Sequence, residues 1–284
     1  MEKADQIVKS MAREYKLSGI VVIGAGQRGG DIADRLEKEC WETPCLSFLD
    51  ENEIVSWEEM PISREFMEII VAGMDDAYDE ALVVRLINCA EKHKAVPIVI
   101  MGNRGNRTME IAEKCKAVIL CAKDPHISDE EQNQKMYAAV RGLVLANDIE
   151  SDVFINASDI AAILDGECQL GEGTDKEAVV AAKQAMKGLS GRNYLLCFVV
   201  SEGVSLSDIH EAMAKIQEGL DKDANIIFGI TRKRERRNNI SCGQTHTYWR
   251  RERLVLMKTP GRIPAFLPDK PVEKIVQVMA YTCK

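Results

Sequence analysis

No run of about 18 apolar residues occurs anywhere in the 284-residue sequence, so no membrane-spanning helix is predicted. The opening stretch, MEKADQIVKSMAREYKL, has the charge pattern of an amphipathic helix and lacks the apolar centre of a secretion signal, which makes a cytoplasmic location the expectation. Histidine is scarce, with four in the chain. Cys89 with His93 and Cys242 with His246 have C-x-x-x-H spacing, but each pair lacks the further ligands that a metal needs, and no metal site is expected. Internal repeats and low-complexity linkers are missing too. The nine cysteines are scattered, mostly inside apolar runs, and read as reduced, buried thiols.

What is present is an ordinary globular composition, 46% hydrophobic and 29% charged. The net charge of −8 is unevenly spread. Residues 231–262 hold ten Lys or Arg (from Arg232, Lys233 and Arg234 to Lys258 and Arg262) against Glu235 and Glu252, a net of +8 that leaves −16 for the rest. Such polarity suits an anionic partner or head-to-tail contact between copies of the chain. Nucleic acid, approached through TRKRERR, is the lesser reading and is not the expected partner.

The first part alternates two kinds of segment. Apolar runs IVVIG, LSFL, EIIVAG, PIVIM and AVILCA are separated by amphipathic stretches such as DIADRLEKEC and DEALVVRLINCAEKH, which predicts a parallel sheet covered by helices on both faces. Within VIGAGQRGGDIADRL, Gly24, Gly26 and Gly29 have G-x-G-x-x-G spacing between a strand at residues 20–23 and a helix beginning near Asp31. Asp50 closes the next apolar run. Two readings stand: a dinucleotide (NAD)-binding turn, in which glycines admit a pyrophosphate to a helix N-terminus, or a tight turn with no ligand.

Ser128 and Glu131 have capping-box spacing ahead of a long helix running to about Ala146. Thr174 and Glu177 suggest a second box, leading an Ala-rich helix that stops near Gly188. A strand YLLCFVV, a helix around DIHEAMAKIQEGL, a strand ANIIFGI and a last apolar run LVLMK follow. The proline-bearing tail is expected to wrap the surface before a short helix, VEKIVQVMAY. The expected division is 1–128, 129–150 for the central helix, 151–260, and 261–284 for the tail.

The segments FINASDIAAIL, GEGTDKEAVVAAKQAM, YLLCFVV, VSLSDIHEAMAKI and ANIIFGI, in this order and spacing, resemble the C-terminal domain of FtsZ, the bacterial relative of tubulin. The resemblance covers roughly residues 18 to 232. It implies a tubulin/FtsZ-like α/β fold with a Rossmann-like parallel-sheet N-terminal domain, a long central helix and an α+β C-terminal domain. It also implies GTP or GDP as cofactor, and as partner either another copy, head to tail, or an FtsZ-type relative. Gly24, Gly26, Gln27, Arg28, Gly29, Gly30 and Asp31 fall on the family's first phosphate loop, and Asp50 on an acid after the second strand.

The family's glycine-rich loop after the third strand corresponds to VAGMDDAYDEALVV. Ala72, Gly73 and Met74 match; then Asp75, Asp76, Asp79 and Glu80 replace glycines and threonines. A carboxylate about 5 Å from a phosphate charge costs on the order of 3 kcal/mol at an effective dielectric near 20. The acids instead suit a helix N-terminus, which they cap, or a bridging Mg²⁺ or Ca²⁺. Lys123 and Gln134 stand where the family contacts the base. Arg107 matches a family arginine, available to an anion or merely a charge at a helix start. Phe154, Asn156 and Asp159 occupy the three places of the family's catalytic N-x-D-x-x-D; Asn156 is no base near neutral pH, and Asp159 is either catalytic or a helix cap. The expectation is a cytoskeletal assembly protein with a degenerate GTP site and weak or no hydrolysis. A GTPase with a divergent loop and a dinucleotide-binding protein are the alternatives.

Overall fold

The third apolar run forms strand β3, Met67–Ala72, whose six residues are all buried. Its side chains alternate between two cores: Met67, Ile69 and Val71 belong to one, Ile70 and Ala72 to the other. Burial on both faces is why a central parallel strand reads as a near-continuous apolar run, interrupted in β3 by Glu68. In the structure, a computed structural model describing residues 19–40, 43–59, 67–103, 107–121, 127–148, 150–233 and 274–283, the neighbouring strands follow the same logic.

Strands β1 (Ile20–Ala25), β2 (Cys45–Phe48), β4 (Val96–Met101) and β5 (Ala117–Leu120) join β3 in the parallel order β2-β1-β3-β4-β5. Helix α1 (Gly26–Glu39) covers one face; the short α2 (Val55–Glu58), α3 (Ala77–His93) and α4 (Thr108–Lys114) lie on the other side. The long helix α5 (Asp129–Ala146) starts as the sequence predicts, with Ser128 Oγ accepting the Glu131 N–H at 3.2 Å. It packs in the same core as α1, and α6 (Ala157–Ile163) follows there.

The second half continues the sheet instead of forming a layer of its own. Strand β6 (Gly166–Asp175) pairs parallel to β5, and β9 (Val276–Cys283) lies between β6 and β7 (Asn193–Ser201), antiparallel to both. The outermost strand is β8 (Asn225–Lys233). Helices α7 (Ala178–Met186) and α8 (Leu206–Glu218) cover the face opposite α5, in a third core with Leu196, Phe198, Val278 and Ala280.

Several expectations are corrected. VEKIVQVMAY yields no helix: from Val276 it is β9, a strand inside the sheet. The Thr174–Glu177 capping box does not form, because Thr174 still belongs to β6 and Glu177 is itself the N-cap of α7, with no side-chain cap bond. Helix α1 begins at Gly26, five positions before Asp31. Cys168 and Cys283 are not free thiols but a disulfide joining β6 to β9 at a cross-strand pair. The other described cysteines, Cys40, Cys45, Cys89, Cys115, Cys121 and Cys197, are free. The basic stretch from Arg234 onward, LVLMK, Lys123 and the pair Cys242 and His246 lie outside the described residues. No helix among the described residues is long and apolar enough to cross a membrane.

Candidate functional site

The C-terminal ends of β1 and β3 lie side by side, and β2 flanks β1 alone. At this end the chain turns twice into a helix. A Cβ on Gly24 would meet the Gly29 carbonyl oxygen at 2.3 Å, and one on Gly29 would meet the Val71 carbonyl oxygen at 2.1 Å. Gly26 has φ +69 and faces Asp79 Oδ1. Gly24 and Gly29 let α1 press onto β1 and β3, and Gly26 permits the left-handed turn beneath Asp79, so the spacing has a structural cause that requires no ligand. Gly30 is different: the atom nearest a Cβ there is 3.6 Å away, and a methyl group fits.

The loop after β3 carries Gly73, Met74, Asp75 and Asp76. Met74 takes φ 61, a left-handed conformation unusual for its side-chain type. Asp76 is the N-cap of α3, accepting the N–H groups of Tyr78 and Asp79 at 2.9 Å each. Asp79 Oδ2 accepts the Asp75 N–H at 3.2 Å, and burial pushes the Asp79 carboxyl above its usual range. Glu80 accepts the Arg107 N–H at 2.9 Å, which ties α3 to the start of α4. Asp76 and Asp79 thus serve the start of α3, one of the two roles open to these acids from sequence, while the Glu80 side chain holds the start of α4 and that of Asp75 turns to Arg28.

Arg28 is the other side chain that organises this end. Its Nη1 donates to Asp75 Oδ1 at 2.6 Å and its Nε to Asn133 Oδ1 at 2.9 Å, while its Nη2 donates to Gln132 Oε1. Asn103 Nδ2 donates to the same Asp75 oxygen at 3.0 Å and its Oδ1 accepts from Gln132. One network therefore links the start of α1, the loops after β3 and β4, and the first turn of α5. Asn103, Gln132 and Asn133 are not among the candidates that the sequence offers. Their signal is positional: strand tips and helix starts converge at one end of a parallel sheet.

The remaining candidates on this end have local partners. Gln27 Nε2 donates to Asp31 Oδ1 at 2.9 Å, and Asp50 Oδ1 accepts the Asn52 and Glu53 N–H groups at 2.7 and 3.2 Å, closing a turn. Arg107 holds Glu110 through two bonds of 2.7 and 2.9 Å, and these with Lys114 lower the Glu110 carboxyl to about 2. Gln134 bridges Arg35 and Glu130 on the exposed side of α5.

Asn156 and Asp159 lie elsewhere. Asn156 is the N-cap of α6, its Oδ1 accepting the Asp159 N–H at 2.8 Å, so the cap expected of Asp159 is made by Asn156. Both side chains are exposed. A Cβ on Gly19, just before β1, would sit 3.2 Å from Ala157 Cβ, which places α6 at the N-terminal end of β1. Gly24 and Arg28 are at its other end. Six strand residues at about 3.3 Å each span roughly 20 Å, so one chain does not bring Asn156 and Asp159 to Gly24 and Arg28.

Over 99% of this chain and 92% of the other, the structure matches an FtsZ dimer, empty, from M. jannaschii, with a TM-score of 0.66 at 14% identity. The fold is that of FtsZ. A CetZ2 GTPγS-bound protofilament from Haloferax volcanii matches with a TM-score of 0.55 at 12% identity, over 92% of each chain. GDP-form protofilaments of TubZ from Bacillus thuringiensis serovar israelensis match with 0.51 at 9%, over 96% of this chain and 89% of the other. No family model matches the sequence, and no curated protein does. At these identities the likeness is one of fold, and within the FtsZ-like frame the first and third strand tips of this chain carry Gly26–Arg28 and Gly73–Asp76.

Proposed function

We propose that this chain is an FtsZ-like cytoskeletal protein that works by head-to-tail association of copies, with a degenerate GTP site and weak or no GTP hydrolysis. The observation that carries the reading is the separation of the two candidate sites to opposite ends of β1. Asn156 and Asp159 meet the loops of Gly26–Arg28 and Gly73–Asp76 only when the α6 end of one copy faces the phosphate-loop end of another. Exposed apolar side chains support such a contact: Phe154 beside Asn156 at one end, Leu49 and Tyr78 at the other. The structural neighbours described as a dimer and as protofilaments support it in kind.

The side chains at the phosphate-loop end do not fit a triphosphate as they stand. A Cβ on Gly73 would meet Asp75 Oδ2 at 2.4 Å and Arg28 Cδ at 3.0 Å, so the space over the tip of β3 is taken by the chain's own charges. The neighbours described as GTPγS-bound and as GDP-form favour the alternative, a working GTPase with a divergent loop. Phosphate release from GTP by the purified protein decides between them. Turnover indistinguishable from buffer is expected; turnover that Asp159→Ala abolishes would establish the GTPase instead.

A further inference from the structure

We infer that Asp75 is a resident anion of the first phosphate loop, a carboxylate of the chain itself holding the cationic position that a phosphate group would otherwise take. The inference rests on the FtsZ-like reading of this end and names what controls it. Asp75 Oδ1 takes two donors, the Arg28 guanidinium at 2.6 Å and the Asn103 amide at 3.0 Å. A charged guanidinium N–H with an amide N–H beside it suits a phosphate oxygen as well as a carboxylate oxygen. Arg28 is anchored from behind by Asn133 and Gln132 and its side chain is 16% exposed, so it is not a free surface charge. Asp75 is 42% exposed and sits on the solvent side of it. Asp129, at 4.0 Å from Arg28 and 91% exposed, lies at the margin of the same charge.

A carboxylate tethered by its own backbone competes with a dissolved anion at a high effective concentration. The pair therefore keeps the position closed to phosphates. Removing the charge of Asp75 while keeping its shape would leave Arg28 anchored but not neutralised, and the position would become a site for a phosphate or polyphosphate group. Free pyrophosphate and the polyphosphate of a nucleotide share this chemistry, and the two probes separate them.

The test is calorimetric titration of pyrophosphate and of GDP into the wild type, Asp75→Asn, Asp129→Asn, and Asp75→Asn combined with Arg28→Met. Asp75→Asn is expected to bind pyrophosphate at least about tenfold tighter than the wild type, the size of one charge-assisted hydrogen bond. Asp129→Asn is expected to match the wild type, and the double variant to lose the gain. Comparable gain for GDP places a nucleotide's polyphosphate at the same position; gain for pyrophosphate alone confines the site to the free anion, and both support the inference. It is overturned if Asp75→Asn binds no better than the wild type, or if Asp129→Asn gains as much, which would reduce the effect to net charge. Sedimentation of the nucleotide-free wild type reads the assembly proposal separately, so failure of one leaves the other measurable.

Discussion

Gly24 and Gly30 stand six positions apart in one glycine-rich turn and have opposite expected responses to a methyl group. Gly24→Ala drives a Cβ to 2.3 Å from the Gly29 carbonyl oxygen, a backbone atom with no room to move. A loss of about 2–3 kcal/mol is expected, read as a lower denaturant midpoint. Gly30→Ala meets nothing closer than 3.6 Å inside α1 and should stabilise by about 0.5–1 kcal/mol through helix propensity. Glycines kept for a ligand alone would show no such contrast. A second residue-scale prediction concerns Glu68, buried on β3 and bonded to His93 Nδ1 at 3.0 Å. Burial raises its carboxyl above the ordinary value of 4.5. The folded chain then holds that proton more tightly than the unfolded chain, so this contribution to stability is full below pH 4.5 and is lost as pH rises through the raised value. Glu68→Gln should remove that dependence and gain on the wild type as pH rises from about 4.5, in melting curves taken at several pH values. The opposite trend would mean that the pairing with His93 outweighs burial.

Element boundaries show where the sequence was legible and where it was not. Strands β1 to β5 are readable because short apolar runs alternate with amphipathic helices, each with its own period. Strand β9 is not, because it is buried on both faces: Val276, Val278 and Ala280 face α7 and α8 while Met279, Tyr281 and Cys283 face the core of α5. Period 2 disappears when both phases are apolar, and V-Q-V-M-A-Y fits a helix as well. Strand β6 misleads for another reason. A Cβ on Gly171 or Gly173 would meet the Ala185 or Ala181 carbonyl oxygen at 1.8 or 2.0 Å, so its glycines permit a close crossing of α7 and only resemble a loop. The Cys168–Cys283 pairing depends on the register of these two strands and was hidden with them. The bond closes 115 residues, and reduction should lower stability by about 2–4 kcal/mol. Calorimetry with and without reductant reads the shift, and Cys283→Ser should melt like the reduced wild type. Peptide mapping that finds Cys168 and Cys283 both alkylated in unreduced protein would contradict the bond.

At the scale of the molecule, the nine described strands form one sheet, with the Gly24–Arg28 turn at one end of β1 and α6 at the other. The sequence placed Gly26, Arg28, Gly73 and Asp75 at one site and Asn156 and Asp159 at another, through a resemblance of motif order. It left open whether Arg28 attracts a phosphate or pairs with the acids at Asp75 to Glu80, because a contact between residues 47 positions apart depends on the strand order that brings β1 beside β3. Contact between unlike ends predicts that a single charge at the α6 end suffices to weaken association. Phe154→Glu would set an acid against an end already carrying Asp50, Asp75, Asp76 and Asp129, and each like-charge contact costs about 1 kcal/mol or more at close range. The direct measurement is sedimentation velocity of the nucleotide-free protein over a concentration series. Species larger than the monomer that grow with concentration, and that Phe154→Glu shifts back toward the monomer, are the predicted result. A single monomeric species at every concentration, or larger species only after GTP is added, would contradict it.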